Sequence, residues 1–139
     1  MPSSPSTFLN LDLELEGPAD LAPLANAFSG RAFVLHCGAQ DDRHHLCAEP
    51  VIEGALSNDP AACTEHMLRL IEGLRPEARL LWQTCTSRIF DYGFDGGLED
   101  GPLSADVAAQ HLQRMSALGI SLRMTVYPYR AQEVTETGE

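Results

Sequence analysis

Two groups of residues in this sequence carry side chains that could do chemistry at close spacing. The first is His36-Cys37 followed by His44-His45-Leu46-Cys47, two sets of imidazole and thiol separated by a short, largely polar stretch. Zinc accepts such ligands. Neither a CxxC nor an HxxxH spacing is present, however, and on an extended chain His44 and His45 point to opposite faces. One side of a hairpin could therefore offer a metal at most His36, His45 and Cys47. An ordinary hairpin with a wet, histidine-rich tip is the simpler reading, and no metal or other cofactor is expected. The second group, Arg88, Asp91, Tyr92 and Asp95, lies within Leu80 to Gly97 (LLWQTCTSRIFDYGFDGG), which also holds the single Trp. Here Arg88 and Asp91 could pair with neighbours while Tyr92 packs its ring. The same side chains could instead form an exposed acid-aromatic patch of the kind that suits a protein partner. A pocket near Arg88, Asp91 and Tyr92 serving a small enzyme or ligand-binding domain is a third reading.

Several chemistries are closed. All nine basic residues are Arg and the chain has no Lys, which removes the phosphate-loop lysine, Schiff-base catalysis and a kinase-type lysine. No GxSxG, HExxH or GxGxxG follows a strand. Cys37, Cys47, Cys63 and Cys85 are scattered without the density of a disulfide-stapled domain and read as small buried hydrophobes. His66 and His111 fall in helices and are expected to face solvent. The net charge of −11, from twenty acidic against nine basic residues, repels phosphate backbones and argues against nucleic acid. It suits solubility or a basic partner. No apolar run reaches the roughly 18–20 residues that span a bilayer, so no membrane is expected. The start, Met1 to Thr7, lacks the pattern of a secretory signal, and a cytoplasmic location is expected.

The elements that must position these residues come from periodicity. Leu9, Leu11, Leu13 and Leu15 alternate with Asn10, Asp12, Glu14 and Glu16, a period of two that predicts a strand with one dry and one wet face. Asp20 can cap a short helix carrying Leu21, Leu24, Ala25 and Phe28, with Pro23 tolerated in its first turn. Arg31 to Gly38 and Arg43 to Val51 predict a hairpin joined by Ala39-Gln40-Asp41-Asp42, with Phe33, Leu35 and Cys37 on one face. Asp59-Pro60 opens a helix with Cys63, Met67, Leu70, Ile71 and Leu74 inward, ended by Gly73 and Pro76. The Leu80 to Gly97 stretch predicts a central strand with Phe90, Tyr92 and Phe94 on one side and Asp91, Gly93 and Asp95 on the other. A helix capped by Ser104 should bury Ala108, Leu112, Met115 and Leu118. A last strand should bury Ile120, Leu122, Met124 and Val126.

At 139 residues the chain fits one domain able to bury roughly 68–70% of its unfolded surface. The expected fold class is α+β: a single mixed or antiparallel sheet with helices on one face, in the order βαββαβαβ, a ferredoxin-like core plus an extra αβ unit. Residues 8–129 form the domain, between a flexible arm at 1–7 and a flexible acidic tail at 130–139. The uncovered sheet face would carry Asp12, Glu14, Arg123 and Tyr127.

Trp82, the run Arg88-Ile89-Phe90-Asp91-Tyr92-Gly93-Phe94, the helix end Ala117-Leu118-Gly119 and the strand Leu122 to Pro128 together resemble a class of small bacterial α+β domains of unknown function, some of them similar to immunity proteins that neutralise toxins. The resemblance covers the second half of the chain and implies a bacterial origin and a small α+β fold, with no activity or functional residue to carry over. The reading that follows is a non-enzymatic module that binds another protein, a basic one, through Asp12, Glu14, Arg88, Asp91, Tyr92 and Arg123. A homodimer is compatible with it.

Overall fold

A computed structural model describes residues 7–96 and 104–128. The expectations for residues 1–6 and 130–139 lie outside the described residues, while Thr7, assigned above to the arm, opens the first strand. The strands are β1 (Thr7–Gly17), β2 (Ala32–Gln40), β3 (Arg43–Pro50), β4 (Ser87–Asp95) and β5 (Ser121–Tyr127). The helices among the described residues are α1 (Ala22–Phe28), α2 (Pro60–Glu72), α3 (Pro76–Thr84) and α4 (Ala109–Ala117), with a 3-10 turn at Gly54–Asn58. No helix among the described residues is long and apolar enough to cross a membrane. The class is α+β, with one mixed sheet in the order β2-β3-β1-β4-β5, antiparallel except for the parallel β4–β5 pair.

Sidedness in β1 follows the alternation. Leu11, Leu13 and Leu15 are buried beneath the helices, while Asp12, Glu14 and Glu16 stand on the opposite face at intermediate exposure. Leu9 breaks the pattern: the β1–β4 register shifts between Phe8 and Asn10, so Leu9 sits in a bulge in contact with water and Phe8 packs against the core in its place. In β4 the expected division holds, with Phe90, Tyr92 and Phe94 buried on the helix side. The Tyr92 hydroxyl meets Thr64 Oγ1 of α2 at 2.6 Å, which satisfies both buried groups.

Helix α2 matches its signals: the Asp59 carboxylate accepts from the Ala61 N–H at 3.1 Å, Pro60 lies in the first turn, and all five expected apolar residues are buried. The chain departs from the expected order immediately afterwards. Pro76 starts a new helix, and β4 begins only at Ser87, so Leu80 to Thr84 are helical. Ala78, Leu81, Trp82 and Cys85 recur at helical spacing and turn toward the core, with the Trp82 indole N–H donating to the Leu118 carbonyl at 3.0 Å.

Four other expectations are corrected. The hairpin turn is only Asp41-Asp42, both at positive φ (53° and 67°), which is the geometry a two-residue connection needs. A register shift between Val34 and His36 in β2 places Phe33 opposite Glu49 and Cys37 opposite Leu46, on different sides of the sheet, so Phe33, Leu35 and Cys37 do not share a face. Helix α4 starts at Ala109 rather than near Ser104, after an extended lead-in whose Ala105 and Val107 are half-buried. Its inward stripe is His111, Met115 and Leu118, leaving Ala108 and Leu112 exposed. Finally, β5 lies at the sheet edge beyond the helices. Ile120 is buried, but Leu122, Met124 and Val126 are 44%, 51% and 60% exposed on the same side as the core.

Candidate functional site

The helices leave one face of the sheet open, and the pairing register determines what stands on it. From β1 come Asn10, Asp12, Glu14 and Glu16; from β4, Ser87, Ile89, Asp91 and Gly93; from β3, His45, Cys47 and Glu49; from β5, Arg123, Thr125 and Tyr127. In the middle, Asp12 is directly opposite Asp91, and Glu14 is directly opposite Cys47 on one side and Ile89 on the other. An open concavity of about 320 Å³ runs between Glu14, Glu16, His36, His45, Cys47 and Arg123.

The cations present there are engaged. Arg123 Nη1 donates to Glu14 Oε1 at 2.8 Å and lies 3.6 Å from Asp91 Oδ2. Arg43 Nε lies 3.0 Å from Glu16 Oε2, and its Nη2 donates to the Thr86 hydroxyl. The Thr125 hydroxyl donates to Asp91 Oδ1 at 2.8 Å. Asp12 has no cationic partner among the described residues, only the Asn10 amide at 3.3 Å. Burial, and then the charges of Glu49, Asp91 and Glu14, push its carboxyl from an ordinary 3.8 up to about 6. Gly93 makes this arrangement possible, since a Cβ there would stand 2.6 Å from Asn10 Oδ1 and drive the amide off the sheet.

The predicted site residues divide between the two faces. Asp12, Glu14, Asp91 and Arg123 come together on the open face. Arg88 and Tyr92 do not join them. Arg88 is directed to the helix side, where its Nη1 donates to the carbonyls of Cys85 (2.6 Å) and Trp82 (3.1 Å) and its guanidinium lies 5.8 Å from the Trp82 ring. Gly119, at φ +73°, is where a side chain would collide with it, a Cβ falling 2.6 Å from Arg88 Nη2. Arg88 thus ties the end of α3 to the end of α4, and Tyr92 is a core residue. The three-residue pocket at Arg88, Asp91 and Tyr92 does not form, because neighbouring positions of a strand face opposite ways.

His36, His45 and Cys47 do share the open face: His36 is opposite Cys47, and Gly38 is opposite His45. Yet no three His, Cys, Asp or Glu side chains among the described residues converge closely enough to hold a metal ion. The four cysteines are free. Burial pushes the Cys47 thiol up to about 12 and the Cys63 thiol to about 11, and raises Cys37 and Cys85 as well. At neutral pH all four are thiols rather than nucleophilic thiolates.

One cluster escaped the sequence reading. Arg114 of α4 bridges two acids of α2, with Nη1 on Glu65 Oε1 at 2.7 Å and Nη2 on Glu72 Oε1 at 2.9 Å. Glu65 also takes Arg69 Nε at 2.6 Å and His111 Nε2 at 3.0 Å. Hydrogen bonds from Arg114, Arg69 and His111 hold the Glu65 carboxyl down at about 2. His111 is 8% exposed, not solvent-facing, because α4 turns it onto α2. The signal that could have found the cluster is the run Glu65, Arg69, Glu72 at helical spacing, opposite a helix carrying His111 and Arg114 three residues apart. In comparisons with known proteins the chain matches no family model, no curated protein and no solved structure.

Proposed function

We propose that the chain is a non-enzymatic, protein-binding module of the immunity-protein-like kind, and that its open sheet face receives a basic segment of its partner. The observation carrying this reading is the setting of Asp12, directly opposite Asp91 with no cationic partner among the described residues, where burial and then the charges of Glu49, Asp91 and Glu14 push its carboxyl up to about 6. A guanidinium or ammonium delivered there relieves that repulsion, so binding and ionisation of Asp12 favour each other. Arg123 and Arg43 already occupy Glu14, Asp91 and Glu16, and leave Asp12 and Glu49 as the acids that an incoming cation would meet. The face sits on the rigid centre of the sheet, as a docking surface should. The four antiparallel strands in the order β2-β3-β1-β4, with α1 between β1 and β2 and α2–α3 between β3 and β4, support a ferredoxin-like core extended by α4 and β5.

The test is titration of the protein with an oligo-arginine peptide, read by calorimetry and by amide shifts. Saturable binding that weakens with salt, moves amides of β1, β4 and β5, and is lost in the Asp12→Lys/Glu14→Lys variant is the expected result. Binding unchanged by the double reversal, or amide shifts confined to the helices, would overturn the reading.

A further inference from the structure

We propose that the outer edge of β5 pairs with β5 of a second copy of this chain, antiparallel about a two-fold axis at Met124, joining two sheets into one. The Tyr127 carbonyl accepts from the Gly96 N–H at 2.8 Å, which turns the main-chain groups of Tyr127, Thr125 and Arg123 toward β4. By the alternation of a strand, those of Leu122, Met124 and Val126 face outward, at an edge that no other strand pairs among the described residues. These are also the residues whose side chains stand 44%, 51% and 60% exposed in a row beside the helices. One strand therefore presents a row of free backbone donors and acceptors together with an uncovered apolar row, and a partner strand would satisfy both at once.

Register and charge select the partner. Centred on Met124, the two-fold sets Leu122 opposite Val126, Arg123 opposite Thr125 and Ser121 opposite Tyr127, so apolar meets apolar and Arg123 meets a hydroxyl. Centred on Arg123, it opposes two guanidinium groups. Centres at Thr125 or Val126 bring Pro128, which has no N–H, opposite Leu122 or Met124. A centre at Leu122 runs the partner strand into Ile120, which is buried, and Leu118 at the end of α4. On a chain of net charge −11, Ser121 to Tyr127 contains no carboxylate and one arginine, so two acidic copies can approach here. The opposite edge, β2, is interrupted by its bulge, a feature that blunts pairing.

The experiment is sedimentation velocity on the full chain over a wide concentration range, together with amide exchange at Leu122, Met124 and Val126. A species of twice the 15.1 kDa chain mass is expected, with protection of those three amides that falls on dilution. Met124→Arg, which sets two guanidinium groups side by side at the axis, should weaken association by about tenfold or more while the far-UV spectrum is retained. If that variant fails to fold, the concentration dependence of wild-type exchange decides alone. A monomer at every concentration overturns the proposal, whether the three amides are open or are protected independently of concentration by some other segment of the same chain. So does a dimer that a folded Met124→Arg leaves intact.

Discussion

The molecule holds two clusters of acids that differ in almost every electrostatic respect. Between α2 and α4, Glu65 and Glu72 are matched by Arg69, Arg114 and His111, and the Glu65 carboxyl is held down at about 2. On the open face, burial and then the charges of Glu49, Asp91 and Glu14 push the Asp12 carboxyl up to about 6. The first cluster is complete within the chain and fastens two helices. In the second, Arg123 and Arg43 engage Glu14, Asp91 and Glu16, and Asp12 is left with no cationic partner among the described residues. Residues of one type thus serve opposite ends: where cations are supplied in cis, ionisation stabilises the fold, and where they are withheld, it strains the fold and favours a cation from outside.

Both clusters depend on the leucines of β1, so the largest effect should come from removing one. Leu13→Ala, at a fully buried position between Asp12 and Glu14, should cost about 2–5 kcal/mol in chemical denaturation, whereas Leu122→Ala at the exposed edge should cost the isolated chain under about 0.5 kcal/mol. Glu65→Gln should come next, at about 1–2 kcal/mol, since it removes the charge that Arg114, Arg69 and His111 share and sets an amide NH2 where one carboxylate oxygen accepts from Arg69. Its effect should vary with pH. The wild-type Glu65 carboxyl titrates at about 2 against an ordinary 4.5, so the unfolded chain binds the extra proton between these values. That stabilisation is present above about 4.5 and disappears as pH falls toward 2.

The open face should show the reverse sign. With Asp12 at about 6 in the folded chain and near 3.8 in the unfolded one, the folded chain binds more protons in between, so stability falls as pH climbs through that window. Asp12→Asn should flatten this slope and add on the order of 1 kcal/mol at neutral pH, part of the shift being screened by water at a half-buried site. Thermal unfolding of the two proteins across this range checks it. Opposite slopes for the Glu65 and Asp12 variants would sharpen the contrast between the clusters, and equal slopes would break it.

The parts of this arrangement that depend on local pattern could be read directly. The leucines of β1 alternating with Asp12 and Glu14, the Asp59-Pro60 start of α2 and the sidedness of Phe90, Tyr92 and Phe94 each follow from backbone geometry alone. What escaped depended on neighbours. Leu122, Met124 and Val126 alternate as well as the β1 leucines do, but a strand's period shows which residues share a side, not whether a helix covers that side. Pro76 reads as a stop after Leu74, although the same restriction on φ makes it a start, and the run of apolar residues hides the helical stripe through Ala78, Leu81, Trp82 and Cys85. Bulges at Leu9 and after Val34 shift register without altering composition. Of the site, Asp12, Glu14, Asp91 and Arg123 were legible through alternation. Arg88 and Tyr92 were assigned to it against the parity of their own strand.

The account is tested most directly by carbon-detected NMR titration of the Asp12 side-chain carboxyl, with and without oligo-arginine. It should titrate at about 6 in the free protein and shift downward when the peptide is bound. An Asp12 that titrates near its ordinary 3.8 and does not respond to the peptide would contradict it.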